Sequence, residues 1–297
     1  MDDFLAAVDT VMRRDAGGRG LSSALPGNPV TALWEELPLI RSALLMTGFP
    51  VRLSDGSYVC ETDGPSGIID LAAAFSKLGI LWRIAADEEA ERIIRAGLKA
   101  RGLPDEVRTV PETDPEGWFR DLLDRFAPSH VITLELPGKA ADGHYYNMRG
   151  IPIDGMIADT AAVFPPAKAR GIRVISVGDG GNEAGMGTYR ELIEGNVPHG
   201  ELICAADSAD IALVSGVSNW WGIGLCALLS KRFDKDLLPT EVEYRTTLEA
   251  LIAAGSADGV TKEHALSVDR LPLEEHLALL RTVRRITGFS AEQDVRY

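Results

Sequence analysis

Short apolar runs alternate along the chain with longer stretches in which apolar residues recur every three or four positions. The runs predict strands at 42–49, 80–84, 106–110, 130–134, 172–177 and 209–214. The longer stretches predict helices at 2–14, 68–78, 88–99, 118–126, 160–169 and 222–229, and one that starts near 184–188. Strands that alternate with helices indicate an α/β fold with a mostly parallel sheet, helices on both faces and Rossmann-like layering.

The pattern changes after Pro239, where the strand signals end. Helices are predicted at 241–254, 261–264 and 273–286, and a polar turn at 255–259 separates the first two. No linker rich in Pro, Gly and Ser isolates this region. We therefore expect one α/β catalytic domain over 1–297, with a helical C-terminal subdomain at about 239–297 packed on it. In such folds ligands bind beyond the carboxyl ends of the strands, so the loops there are the candidates for chemistry.

The clearest strand, 172–177, leads into the loop 178–187 (GDGGNEAGMG), which has five glycines in ten residues. Glycines allow positive φ angles and let a ligand approach the main-chain amides closely. The dinucleotide fingerprint G-x-G-x-x-G is absent because Glu183 stands at its third glycine position, so NAD binding is disfavoured. We expect Asp179 and Glu183 to be catalytic, and substrate contacts from Gly180, Gly181 and Asn182.

The loop predicted at 135–154 gathers acids, a histidine, two tyrosines and an arginine after a buried strand. Asp142 is the third catalytic candidate in the sequence. Arg149 suits a substrate carboxylate because a guanidinium makes two parallel hydrogen bonds to it, although a structural ion pair is an equal alternative. Further substrate contacts are expected from Tyr145, Tyr146 and Asn147.

The segment 61–67 (ETDGPSG) precedes a predicted helix. Asp63 is either the N-cap of this helix or part of a site in which the free amides of the first turn bind an anion. Other strand ends supply the remaining candidates. Substrate contacts are expected here from Asp63, Gly64 and Gly67, and elsewhere from Thr47, Gly48 and Asn219.

Composition narrows the classes of function. The chain has 44 acidic and 30 basic residues, a formal charge of -14 and no Lys/Arg-rich run, so nucleic acid is not an expected partner. A few local cations and amides are enough to hold a small anionic substrate. No apolar stretch approaches the ~20 residues of a membrane span, and the acidic N-terminus is unlike a targeting signal. We expect a cytoplasmic protein without a membrane partner, and a homodimer only as the commonest symmetric assembly.

Four motifs in this order and spacing resemble the D-glutamate cyclase family, in the part that forms the carboxyl-terminal domain of the larger animal enzyme. They are ETDGPSG at 61–67, PGKAADGHYYNMRG at 137–150, GDGGNEAGMG at 178–187 and GVSNWWG at 216–222. The tail is similar to the family as well, at 257–261 and 268–274. The resemblance covers about 27–288. It implies a hydro-lyase that reversibly removes water from D-glutamate to give 5-oxo-D-proline.

This chemistry needs a base that takes a proton from the ammonium group and an acid that helps oxygen leave as water. The hypothesis from the sequence is that Asp179 and Glu183 are this pair, with Asp142 as a further candidate. Replacing either member of the pair by its amide should then remove turnover and leave the fold intact. The amides of Gly180 and Gly181 are expected to stabilise the developing negative oxygen.

Two other classes of function stay open. One is a metal-assisted hydrolase or phosphate-ester enzyme, and the other is a non-catalytic binding protein for a small amino acid. No cofactor is identified with certainty. For the cyclisation itself, the alternative to protein acid/base groups is a divalent cation, Mg²⁺ or Mn²⁺, that Asp142, Asp179 and Glu183 would bind and that would polarise the carboxyl oxygen of the substrate as a Lewis acid.

Overall fold

A six-stranded parallel sheet lies at the centre of the chain, which the computed structural model describes over residues 1–289. The strands are, in chain order, β1 (Ser42–Met46), β2 (Pro50–Arg52), β3 (Tyr58–Cys60), β4 (Leu81–Ala86), β5 (Val107–Thr109), β6 (His130–Leu134), β7 (Arg173–Gly178), β8 (Ile211–Val214), β9 (Ser267–Val268) and β10 (Leu271–Pro272). The central sheet has the order β5-β4-β1-β6-β7-β8, and all its neighbouring strands are parallel. The pairs β2–β3 and β9–β10 are short antiparallel ribbons.

Helices cover both faces of this sheet. They are α1 (Asp2–Met12), α2 (Leu21–Ala24), α3 (Val30–Glu36), α4 (Pro65–Leu78), α5 (Glu88–Ala100), α6 (Pro115–Phe126), α7 (Phe164–Ala169), α8 (Arg190–Asn196), α9 (Gly200–Ile203), α10 (Ser218–Phe233), α11 (Glu241–Ala253) and α12 (Leu273–Thr287). Between residues 1 and 289, no helix has the length and apolar character needed to cross a membrane.

The strand order confirms the predicted α/β fold with Rossmann-like layering. The chain runs from the central strand β1 outward to β5, returns to β6 and then runs outward to β8 on the other side. The order therefore reverses between β1 and β6, and a crevice opens beyond the carboxyl ends of these strands. Ligands of doubly wound folds bind in this crevice.

The sheet is buried on both sides because its strands send apolar side chains to two separate cores. On β1, Ala43 and Leu45 join the core beneath α4, α5 and α10, while Leu44 and Met46 join the core beneath α6 and α7. The helices α4 and α10 cross closely where Gly67 meets Gly222. A Cβ atom on Gly222 would lie 2.4 Å from the Cα of Gly67, so this crossing requires glycine.

The C-terminal part of the chain differs from the prediction in two respects. The prediction of no strands after Pro239 is wrong, because β9 and β10 form an antiparallel ribbon immediately before α12. The predicted helix at 261–264 is wrong, because Lys262 has a φ angle of 66° and Asp258 binds the amides of Val260 and Thr261. A polar side chain that binds neighbouring amides stabilises a turn in place of a helix. The helices α11 and α12 do form where they were predicted.

Other differences lie at loop boundaries. The ribbon β2–β3 and the helix α3 were not predicted. Helix α10 begins at Ser218, four residues before the predicted start at 222, because the distant Asp63 carboxylate accepts from the amides of Ser218 and Asn219 in its first turn. The helix expected near 184–188 is a 3₁₀ turn, Gly187–Tyr189, followed by α8. Local apolar periodicity does not record these tertiary caps.

A buried histidine connects α12 with α10 and makes folding stability depend on pH. The Trp220 indole N–H donates to Nδ1 of His276 at 3.0 Å, and Nε2 of His276 donates to the Leu271 carbonyl at 3.3 Å. Both ring nitrogens are thus satisfied in the neutral form. Burial lowers the pKa of His276, against the smaller opposite effects of the Leu271 carbonyl and the Asp269 and Asp258 carboxylates.

We expect the contribution of His276 to the free energy of unfolding to fall as the pH drops below about 6.5, the usual pKa of histidine. In that range the unfolded chain binds a proton at position 276 that the folded chain does not accept, so acid favours unfolding. Urea unfolding at pH 7.5 and 5.5 measures the change in the free energy of unfolding between the two pH values, and acidification should destabilise His276→Gln less than the wild type. The exposed His144→Gln is the control. An equal loss in both variants contradicts the assignment.

Candidate active site

Three buried carboxyl groups meet beyond the carboxyl ends of β6 and β7. Glu135 follows β6 and Asp179 follows β7; since these strands are parallel neighbours, their ends lie side by side. The Glu135 amide donates to the Val177 carbonyl at 3.2 Å and fixes this juxtaposition. Asp63 enters from the segment that precedes α4. One carboxylate oxygen from each of the three residues lies within 4.8 Å of the other two.

Asp63 and Asn219 hold the N-termini of α4 and α10 together. The Asp63 carboxylate accepts from the amides of Ser218 and Asn219 at 3.0 and 2.7 Å. In return, Oδ1 of Asn219 accepts from the amides of Gly64 and Gly67 at 2.8 and 2.9 Å. The first-turn amides that the sequence offered to an anion are therefore occupied by Asn219. These contacts correct the expectation that Gly64, Gly67 and Asn219 are open to substrate.

A single arginine from the N-terminal segment enters the acidic cluster. The Arg19 guanidinium forms an ion pair with Asp179 and a two-pronged pair with Asp269, in which both N···O distances are 2.9 Å. Asp269 lies at the tip of the β9–β10 ribbon, where it and Arg270 have φ angles of 52° and 62°. Such left-handed angles cost energy for residues other than glycine and are concentrated at functional sites.

Burial, and then the excess of acid over base in the cluster, raise the pKa values of its carboxyl groups. Burial raises the pKa of Asp179 well above the usual value, which Arg19 opposes and Asp269 and Glu183 reinforce. Burial, then Asp179 and other acids raise the pKa of Glu135. Burial and Asp269 raise the pKa of Asp63 to about 8, against the amide bonds that it accepts. Raised carboxyl pKa values of this kind are concentrated at functional sites.

Glu183 faces the backbone of its own loop. Its carboxylate accepts from the amides of Asp179, Gly180 and Gly181 at 3.2, 2.8 and 2.7 Å. The amides of Gly180 and Gly181, which the sequence suggested for the developing oxygen, are thus already bound. Through these hydrogen bonds Glu183 stabilises the backbone of the Asp179 loop. This structural role differs from the acid/base role that we expected for Glu183.

Asp142 lies on the surface, away from this cluster. Its carboxylate accepts from the Tyr146 hydroxyl at 2.6 Å, and this hydrogen bond lowers its pKa. Tyr145 is buried and donates its hydroxyl to Asp159 at 2.6 Å. The metal-ligand set expected from Asp142, Asp179 and Glu183 does not assemble, because the three side chains face different surroundings.

A cavity of about 500 Å³ opens above the carboxyl cluster. Glu135, Asp179 and Asp269 line it on the acidic side, together with Glu61 and Arg19. Three residues expected to contact substrate also line it, namely Asn147, Arg149 and Asn182. The volume is in the range of small-molecule sites.

Asn147 and Asn182 line the cavity but make different hydrogen bonds. Oδ1 of Asn147 accepts from the amides of Arg149 and Ile151 at 2.9 and 3.1 Å, so it orders the turn that presents Arg149. Nδ2 of Asn182 donates to the Tyr146 carbonyl at 2.8 Å. Oδ1 of Asn182 is buried without a hydrogen-bond partner among residues 1–289, so it can accept from a ligand.

Thr47 and Gly48 follow β1 and support the cluster from behind. The Gly48 amide donates to the Glu135 carbonyl at 3.3 Å. The Thr47 hydroxyl lies against Gly64, where an added Cβ would meet it at 2.2 Å. Neither residue lines the cavity. Their position indicates that they fix the backbone of Glu135 and of the segment around Asp63.

Sequence reasoning missed Arg19, Glu61, Glu135 and Asp269 as site residues. Arg19 and Asp269 lie 250 positions apart and meet only in the folded chain. Glu135 had a usable signal, since it is the first residue after the buried strand β6, in the position that Asp179 occupies after β7. Its φ angle of 46° is a further mark of strain that only the structure reveals.

The residues that could hold a metal are Asp63, Glu135 and Asp179, because their oxygens converge and are of the type that Mg²⁺ and Mn²⁺ prefer. Arg19 already places a positive charge against Asp179. The cluster therefore has two ways to balance its charge, by protons together with Arg19 or by a cation.

The fold and the site together define an α/β protein of doubly wound topology with a carboxyl-rich pocket at its strand ends. Residues 8–284 match the family model described as D-glutamate cyclase-like, C-terminal, and the chain belongs to this family. It is 28% identical to the human protein named D-glutamate cyclase, mitochondrial, over 318 aligned positions, covering 94% of this chain and 51% of the human protein. The chain thus spans about half the length of that relative.

Proposed function

We propose that the chain is a D-glutamate cyclase-like lyase that converts D-glutamate and 5-oxo-D-proline into each other by loss and addition of water. In the forward direction the C–N bond of the lactam forms and a γ-carboxyl C–O bond breaks. Two protons leave the nitrogen, and both end in the released water. The reaction therefore needs a local relay that carries protons from nitrogen to oxygen without net uptake or release.

The buried cluster of Asp63, Glu135 and Asp179 is the observation that carries this proposal. One carboxyl oxygen of each residue lies within 4.8 Å of the other two, a separation that one water or one substrate group can bridge, and burial raises the pKa values of all three. Asp179 contacts Arg19, whose charge opposes the rise in the Asp179 pKa, so we assign to Asp179 the role of the base that takes the ammonium proton. Burial and then the neighbouring acids Asp179 and Glu183 raise the pKa of Glu135, so we assign to Glu135 the role of the acid that protonates the leaving oxygen.

Two arginines have roles in the proposed reaction. The amides of Gly180 and Gly181 are bound to Glu183, so Arg19 is the group that stabilises the developing negative oxygen. Arg149, at the cavity wall, holds the α-carboxylate of the substrate. Holding both ends of glutamate brings the amine to the γ-carboxyl carbon, which contributes a large part of the rate.

A metal-assisted hydrolase is the second candidate, and the convergence of Asp63, Glu135 and Asp179 favours it. A divalent cation bound there would act as a Lewis acid on a carboxyl or phosphoryl oxygen. Under this alternative, activity is lost on prolonged chelation and returns with Mg²⁺ or Mn²⁺. Under the proton relay, activity survives chelation.

The test is incubation of the purified chain with D-glutamate, with L-glutamate and with 5-oxo-D-proline, followed by chiral chromatography. We expect D-glutamate and 5-oxo-D-proline to interconvert, and the same assay after chelation separates the two chemistries. Stabilisation by these compounds without product would identify a binding protein. Absence of both turnover and binding would refute the proposal.

A further inference from the structure

The mouth of the cavity is basic, although the chain as a whole is strongly acidic. Four basic residues that line the cavity stand outside the carboxyl cluster, namely Arg52, Arg149, Lys262 and Arg270. Within residues 1–289, none of these four has a carboxylate within 4 Å of its charged nitrogens. Basic residues without carboxylate partners thus surround the mouth of the cavity, and the carboxyl cluster lies at its base. This arrangement suits a ligand whose anionic end points toward the mouth.

Lys262 lies in a loop with a fixed backbone, and its ammonium group donates to the Gly259 carbonyl of the same loop. The Asp258 carboxylate accepts from the amides of Val260, Thr261 and Arg270 at 2.8, 2.9 and 2.8 Å, and also from the Ser267 hydroxyl at 2.6 Å. The Lys262 amide in turn donates to the Asp258 carbonyl at 2.9 Å. One buried carboxylate thus orders the whole loop that carries Lys262.

The backbone conformation of Lys262 costs free energy, and the burial of its ammonium group beside another cation adds to this cost. Its φ angle of 66° is in the left-handed region, which non-glycine residues adopt with an energetic penalty. Burial lowers the pKa of the ammonium group; Glu61 opposes this effect and the Arg149 guanidinium adds to it. Two cations that face one cavity repel each other, and an anion between them removes this repulsion.

We propose that Lys262 and Arg149 together bind the α-carboxylate of the substrate and so restrict the site to amino acids and lactams with a free α-carboxylate. This assignment rests on the proposed function and adds a specificity-determining residue to it. Arg149 comes from the loop after β6 and Lys262 from the loop before β9, so the carboxylate bridges the two sides of the cavity. The reactive end of the substrate then points toward Asp179 and Glu135.

The decisive variant is Lys262→Met, which keeps the length of the side chain and removes the charge. We expect KM for D-glutamate to rise roughly 10- to 100-fold, the loss that corresponds to one charged hydrogen bond, while kcat changes far less. Lys262→Arg should keep KM within about threefold of the wild type, since the charge is retained. Lys99→Met, on the exposed C-terminal turn of α5, is the matched control and should be unaffected.

A second measurement reads specificity directly and does not depend on turnover. Thermal shift or calorimetry compares 5-oxo-D-proline with its neutral α-amide, and the wild type should bind the acid at least about 10-fold more tightly. Lys262→Met should lose most of this preference. An unchanged KM and an unchanged preference in a folded Lys262→Met protein would overturn the assignment and leave the proposed function standing. A wild-type chain that neither converts nor binds these compounds would overturn both.

Discussion

Replacing Asp179 by asparagine is expected to remove turnover, with a loss of about 10²- to 10⁴-fold in kcat. Asparagine keeps the size of the side chain but cannot accept the ammonium proton or pair with the charge of Arg19. Glu135→Gln should act in the same way, because it removes the proton donor from the relay. The measurement is the rate of 5-oxo-D-proline formation at saturating D-glutamate, with circular dichroism to confirm that each variant folds.

Asp142→Asn is the matched control for this prediction, since it makes the same chemical change at an exposed position. Asp142 accepts from the Tyr146 hydroxyl at the surface and does not line the cavity. We expect kcat to stay within about twofold of the wild type, as is usual for a change outside the site. A dead Asp142→Asn beside an active Asp179→Asn would reverse the assignment and favour the role that the sequence suggested for Asp142.

Glu183→Gln is expected to destabilise the chain, by roughly 2–4 kcal/mol in the free energy of unfolding. Three amide donors converge on the Glu183 carboxylate, and a glutamine would turn an N–H₂ group toward at least one of them. A buried donor that faces another donor loses its hydrogen bond. Urea unfolding monitored by tryptophan fluorescence measures the change, because the described chain contains buried Trp220 and Trp221.

Glu194→Gln provides the comparison for Glu183, because Glu194 forms only a half-exposed pair with Arg190 at 3.1 Å. Its loss should cost less than about 0.5 kcal/mol. Turnover should fall in Glu183→Gln as a consequence of the displaced Asp179 loop. Full stability combined with loss of activity would instead support the catalytic role that we first expected for Glu183.

The fold was accessible from the sequence because each central strand is a short apolar run bounded by polar or glycine-rich segments. β6 matches its predicted limits, and β1, β4, β5, β7 and β8 lie within about two or three residues of theirs. Burial on both faces makes such strands uniformly apolar, and this signal is local. Strand order is not local, and the prediction specified only a parallel sheet.

Only part of the candidate site could be predicted from the sequence, because a sequence shows which residues are polar but not which groups they hydrogen-bond. Asp179, Asp63, Asn182 and Arg149 were identified from their positions at strand ends and in loops. Gly64, Gly67 and Asn219 were identified too, yet the structure pairs them with each other. A sequence does not show that the first-turn amides of a helix are already hydrogen-bonded when the acceptor comes from a distant segment. This is the case for α4, whose acceptor is Asn219.

The sequence by itself determined that this chain forms an α/β sheet with acid-rich loops at the strand ends, and its motifs placed it in the right family. Both results depend on short-range patterns that survive without coordinates. Only the tertiary structure decided which carboxyl groups share a cavity with Arg19, because Arg19, Glu61, Glu135, Asp179 and Asp269 come from five separate segments. Their mutual distances, and therefore their charges and proton affinities, exist only once the sheet and its helices are packed.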